Sequence, residues 1–254
     1  MILMKKITSI GAVILVILFS ACGPKPANDD AYLTNYAKAH EYFEKNQPHR
    51  AIPFYKKTIK QKPEFAQAYQ ELAVCYQQVG DDSAAMTNYE GAIVHNPRNV
   101  DAYQSIGNIH YMHGEYQLAL DWYLKGSEVD FLYPRSYNNI ATIYYMQHDY
   151  ENARKYFNQA IAVDATYPRA YYGLGLLAYL DGDTVEAESK FLDAVRVGSM
   201  PEAIYMLGVL NYDRANYDQS ESWFKRYLEV DPNGEWAEKS RDMLVIIGQK
   251  KGQK

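Results

Sequence analysis

His110 and His113 stand three residues apart, a spacing that puts two imidazoles on one side of a helix and suits a pair of metal ligands. No third ligand is apparent, and His110 occupies a place that the chain's internal repeat gives to a packed side chain, so no metal site is expected. Gly173-Leu174-Gly175 looks like a fragment of a phosphate-cradling loop, but it lies inside a helical pattern with no strand before it. Helix-packing glycine is the better reading. Cys75 would attack only as a thiolate, and beside Tyr76 on a helix it reads as a buried filler. The acid pairs Asp29-Asp30 and Asp81-Asp82 belong to a tether and a turn, and neither a GxSxG elbow nor a P-loop is present. No catalytic residue and no cofactor is expected.

Composition points the same way. The chain has 254 residues, 48% hydrophobic and 22% charged, enough apolar surface to bury a core and exclude a wholly disordered polymer. Its net charge of -5 disfavours a general polyanion binder, which must neutralise phosphates with Lys and Arg, so no nucleic-acid partner is expected. Tyrosine is the outlier, with 25 residues against eight Phe and three Trp. Such rings pack on one side and hydrogen-bond at the tip. The only cysteines are Cys22 and Cys75, too few for a disulfide framework or a cysteine-based zinc site.

Residues 1–21 have a secretory-signal layout, with Lys5 and Lys6 followed by a mostly apolar run from Ile7 to Ala21 that is shorter than the roughly 20 residues of a spanning helix. Phe19-Ser20-Ala21-Cys22 resembles a bacterial lipobox, with Phe19 in place of the usual Leu. That resemblance implies lipidation at Cys22, which becomes the first residue of the mature chain. Gly23 stands where many inner-membrane retention signals have Asp, so the resemblance favours the outer membrane. A position facing the periplasm is the expectation, though neither Gly23 nor the lipobox reads out the membrane face. Losing the two lysines takes the charge from -5 to -7, an acidic body that depends on its lipid to reside at a membrane. The polar, proline-bearing stretch over 22–31 is expected to act as the tether.

The elements that position everything else come from an internal repeat. Units starting at Tyr32, Ala66, Val100, Pro134, Pro168 and Pro201 are spaced by 34, 34, 34, 34 and 33 residues. Their eighth residues are Ala39, Ala73, Gly107, Ala141, Gly175 and Gly208, all small. Position 20 is again small: Ala51, Ala85, Ala119, Ala153, Ala187 and Ser220. Position 24 is always aromatic: Tyr55, Tyr89, Tyr123, Phe157, Phe191 and Phe224. Two antiparallel helices cross closely only where a side chain is tiny, and a ring from the second helix fills the groove beside the crossing.

Over residues 32–234 this pattern resembles the tetratricopeptide repeat family. Tyr42, Tyr76 and Tyr144 at position 11 and Pro63, Pro97 and Pro232 at position 32 strengthen the likeness, while Phe131, Ala165 and Ser199 depart from it at position 32. The resemblance implies an all-α, right-handed superhelical solenoid of six helix-turn-helix repeats. Residues 235–254 are expected to form a capping helix and basic tail, with Trp236, Met243, Leu244 and Ile247 on one side.

Family geometry further implies a concave face lined by the first helix of each unit. Position 12 supplies Phe43, Gln77, Tyr111, Tyr145, Tyr179 and Tyr212, and position 5 adds Tyr36, Asn138, Tyr172 and Tyr205. Rigid aromatics give contact area at low entropic cost and suit a peptide or protein partner. Asn108, Asn139 and Arg169 match three of five places used by the carboxylate-clamp members of the family, whereas Gln104 and Gly173 stand where the other two want basic residues. A backbone contact by the two asparagines is therefore expected rather than a full clamp. The architecture is similar to that of lipoproteins of pilus-secretin and outer-membrane assembly, which implies a scaffold or assembly factor of the cell envelope. The rival expectation is a periplasmic ligand-binding or substrate-delivery subunit of a membrane transport system. Oligomeric state is not readable from the sequence.

Overall fold

The computed structural model describes residues 31–252, which form thirteen helices and no strand. Six antiparallel pairs succeed one another: α1 (Ala31–Glu44) with α2 (Pro48–Gln61), α3 (Ala66–Gln78) with α4 (Asp82–His95), and α5 (Val100–Met112) with α6 (Tyr116–Val129). Then come α7 (Pro134–Met146) with α8 (Tyr150–Val163), α9 (Pro168–Leu180) with α10 (Thr184–Gly198), and α11 (Pro201–Asp213) with α12 (Tyr217–Val230). A last helix, α13 (Ala237–Gly252), lies against α12. The chain is an all-α solenoid in which each helix packs chiefly on its neighbours in sequence, as a stack of local units must. No helix among the described residues is long and apolar enough to cross a membrane. The signal segment, Cys22 and the tether up to residue 30 lie outside the described residues, and Ala31 opens α1.

Local chemistry sets the helix ends. Pro134, Pro168 and Pro201 begin α7, α9 and α11, where a missing N–H breaks no intrahelical bond. Asp81, Asp149 and Asp183 cap α4, α8 and α10 by accepting from the backbone N–H of Ala84, Asn152 and Glu186 at 3.0, 3.1 and 2.9 Å. Within the units the turns need a left-handed residue. Gly80, Gly114 and Gly182 supply it at φ 80°, 77° and 75°, while Asn46, His148 and Ala215 take the same role in the other three units. At the junctions without proline, Asp130 and Asp164 close the turn by accepting from the N–H two residues on, in Leu132 and Thr166. Ser199, at φ 46°, turns the shorter fifth unit.

The crossings are as tight as the repeat demands. Every alanine at positions 8 and 20 is fully buried. A methyl group added to Gly107, Gly175 or Gly208 would lie 2.4, 2.6 or 2.8 Å from the ring of Tyr123, Phe191 or Phe224, so position 24 of each unit sits directly on position 8. Tyr227, where other units have a small residue at position 27, is covered by the cap, and its hydroxyl accepts from the Trp236 N–H at 3.1 Å. Lys251 pins the far end of α13 to Asp218 and Glu221 on α12.

The tyrosine-rich core predicts an alkaline limit. Burial pushes the phenols of Tyr55, Tyr89 and Tyr123 up from their ordinary value of 10. A folded pKa above the unfolded one means stability is fully present below about pH 10 and is lost as pH rises through the folded values. We expect melting temperatures to hold from neutral pH to about pH 9 and then fall, with phenolate absorbance appearing together with loss of helical signal. Phenolate formation at full helicity would contradict this.

Candidate functional site

The first helix of each pair lines the concave face, and side chains at matching places in successive units meet there. Position 5 of one unit reaches position 6 of the next. Asn139 donates to Gln104 Oε1 at 2.9 Å, and Gln104, itself buried, donates to Ser136 at 2.8 Å. Asn108 Oδ1 accepts from the Tyr123 hydroxyl at 2.8 Å. The bonding leaves the Asn108 amide N–H groups and the Asn139 carbonyl for another chain.

Two adjoining pockets occupy the middle of this face and share Arg169. One, of about 360 Å³, is lined by Asn108, Asn139, Arg135, Arg169 and Tyr167. The other, of about 310 Å³, is mainly apolar, with Tyr111, Tyr145, Tyr172, Phe157, Leu176 and Met200 among its walls. Asn138, Thr142 and Glu202 complete its polar edge, where the Thr142 hydroxyl donates to the Asn138 backbone carbonyl at 2.9 Å. Burial, then the Glu202 carboxylate, pushes the Tyr172 phenol up to about 12. It stays a neutral donor at any ordinary pH. Seven of the groove residues read from sequence therefore converge here: Asn108, Tyr111, Asn138, Asn139, Tyr145, Arg169 and Tyr172.

The other five lie apart. Tyr36 and Phe43 pack beside Tyr55 in the first unit. Tyr179 donates to Asp213 at 2.7 Å, and Tyr212 lies 5.6 Å from Tyr217. Tyr205 stacks on Trp236 at 4.9 Å, so the cap covers that end of the aromatic row. Sequence reasoning misses Arg135 and Glu71. Arg135 shares position 2 with Arg169 one unit on, and that repetition is the available signal. Glu71 is buried and accepts from Tyr55 at 2.6 Å, Gln67 at 2.7 Å and Tyr36 at 2.9 Å, with His40 at 3.3 Å. Here the signal is a carboxylate at position 6 facing hydroxyl and imidazole groups at positions 5 and 9 of the preceding unit.

The histidines, the thiol and the paired glycines have local partners. His110 pairs with Glu115 at 2.5 Å and His113 with Asp82 at 2.8 Å, so the two imidazoles serve different acids. No group of three or more metal-ligating side chains occurs among the described residues. Burial, then Glu71, pushes the Cys75 thiol up to about 12, which opposes thiolate formation. Gly173 lies inside α9, where an added methyl would meet the Phe157 ring at 2.3 Å.

Two family models, both described as tetratricopeptide repeat, match the chain, one over residues 76–126 and 138–201 and the other over 33–65 and 201–233. No curated protein matches. Among solved structures, PilF of Pseudomonas aeruginosa superposes with a TM-score of 0.68 at 19% identity, covering 85% of this chain and 98% of that one. PilW, described as a widely conserved type IV pilus biogenesis factor, gives 0.66 at 15% identity over 82% of this chain and 97% of its own. MamA gives 0.56 at 22% identity, over 63% of this chain and 94% of its own. At these identities the likeness is one of fold.

Proposed function

The chain belongs to the tetratricopeptide repeat family, and from that premise we propose that it is a lipid-anchored scaffold or assembly factor of the bacterial cell envelope. It holds a segment of a partner protein in its concave groove. The observation that carries this reading is the pair of adjoining pockets on the concave face, where half-buried rings lie beside asparagines with bonding capacity left over and two arginines without an acid partner among the described residues. Neutral phenols and an apolar hollow supply binding energy by burial, and the asparagines can match a peptide main chain. The likeness of fold to PilF and to the pilus biogenesis factor PilW fits an envelope assembly role. The lipobox-like sequence at Cys22 fits an anchor, on the outer membrane and facing the periplasm. Binding rather than catalysis is the work proposed. Delivery of a small ligand would ask for an enclosed cavity, whereas these pockets open on the groove.

In-cell crosslinking with copurification in mild detergent tests the reading. Wild type is expected to retain a specific envelope protein that Tyr145→Ala loses while its helical signal stays intact. Tyr145 is half-buried: it lines the apolar pocket, lies 5.9 Å from Tyr150 and rests on the outside of the fourth unit's core, so its removal opens the groove and leaves the fully buried residues in place. An unfolded Tyr145→Ala protein, or the same partners with both forms, would overturn a groove-binding role. An unlipidated Cys22 in the protein extracted from membranes would overturn the anchor alone.

A further inference from the structure

We infer that the centre of the groove recognises a carboxylate set next to a bulky apolar side chain on one partner segment, a selectivity that rests on the groove being the partner site. Arg135 and Arg169 project from the same position of successive units into one pocket. Neither has an acidic partner within 4 Å among the described residues, although the chain as a whole carries a net charge of -5. Tyr167 lines the same pocket and feels both: burial raises its phenol while Arg169 and then Arg135 act against the rise. Two guanidiniums without an acid partner, that of Arg135 resting 5.5 Å from the Tyr133 ring, and an asparagine amide beside them form a receptor for one carboxylate, which takes several charge-assisted hydrogen bonds at once.

The charges on either side fix where that carboxylate goes. Position 2 runs Asp101, Arg135, Arg169 and Glu202 through units three to six. Asp101 is already engaged by the Tyr133 hydroxyl at 2.5 Å, and Glu202 stands in the wall of the apolar pocket. A second carboxylate is repelled from both ends and held in the middle. The apolar pocket begins on the other side of Arg169, and at about 310 Å³ it is at the small end of ligand pockets, with room for one large side chain. Gly173 has no side chain because the Phe157 ring fills the space a methyl would take, and the two together form part of the pocket's wall. The preferred segment therefore places its acid beside Arg135 and Arg169 and its Leu, Ile, Met or Phe beside Tyr145, Leu176 and Met200.

Selection of random dodecapeptides, displayed on phage by their carboxyl ends, against the full chain in mild detergent tests this. Wild type is expected to enrich Asp or Glu within a few residues of a bulky apolar residue. Arg135→Glu with Arg169→Glu is expected to lose the acid preference and gain Lys or Arg. A synthetic consensus peptide should bind equally as amide or free acid, and should weaken about 10- to 100-fold against either single variant, the range of a hydrogen bond to a charged group. Thr142→Tyr, which narrows the apolar pocket, should remove the apolar preference and keep the acidic one. Binding by the free acid alone would assign the carboxylate to a chain terminus and overturn recognition within a segment. Peptides that need Tyr145 yet show no acidic preference would overturn this inference and leave the groove reading standing, whereas no Tyr145-dependent peptide would overturn both.

Discussion

Gly175→Leu is expected to lower the unfolding free energy by about 1–3 kcal/mol and to loosen the fifth unit first. Even a methyl group at this place would lie 2.6 Å from the Phe191 ring. That ring is fully buried, with Ala178, Ala187 and Ala194 in the same cluster, all fully buried as well. It has nowhere to retreat, so the two helices of the pair must separate. Gly182 gives the contrast. It has φ 75° with nothing within 4 Å of an added methyl, and its demand is on the backbone alone. Gly182→Asn should cost little, because Asn tolerates the left-handed region and Asn46 already occupies it in the first unit. Thermal and urea melts read both variants, and amide exchange should quicken in α9 and α10 before α1 to α4. Equal melting of Gly175→Leu and wild type would refute the close crossing at position 8.

The crossings were legible in the sequence because dense packing permits few residue types there. Ala39 and Ala141 can be nothing larger, and rings such as Tyr89 and Phe224 must come sixteen residues after the small residue. Asp81 was legible as a turn residue for a similarly local reason, and it caps α4. Position 5 was not. Tyr172 borders the central pocket whereas Tyr205 lies under Trp236, a difference made by the cap packed on the sixth unit rather than by tyrosine itself. Arg135 was hidden because a register says which side chains share a face and leaves open which of them converge. The turn at Ala215 was hidden too: alanine adopts left-handed backbone there only because the helices around it impose it. Glu71 was the hardest to see, since its partners come from α1, α2 and its own helix.

Glu71→Leu should therefore cost about 2–4 kcal/mol, although leucine is a good core residue, because it orphans donors that folding has already taken from water. The Tyr55 hydroxyl is the decisive one. Its side chain is fully buried and its bond to Glu71 Oε2 is 2.6 Å, with no other partner for the proton among the described residues. Tyr36, Gln67 and His40 are nearer solvent and can recover water in part. Glu71→Gln should cost less, since its carbonyl can still accept from the Tyr55 hydroxyl while its amide, on the other side, donates to the Tyr36 oxygen. Tyr55→Phe in the Glu71→Leu background removes the orphan and should restore much of the loss, whereas Tyr55→Phe alone should destabilise. A urea double-mutant cycle measures this as a coupling energy. Simple additivity, or a neutral Glu71→Leu, would mean that the carboxylate does not hold the first two units together. The expected coupling would instead make this buried acid the joint that fixes α1, and with it the point where the N-terminal segment enters, against the rest of the groove.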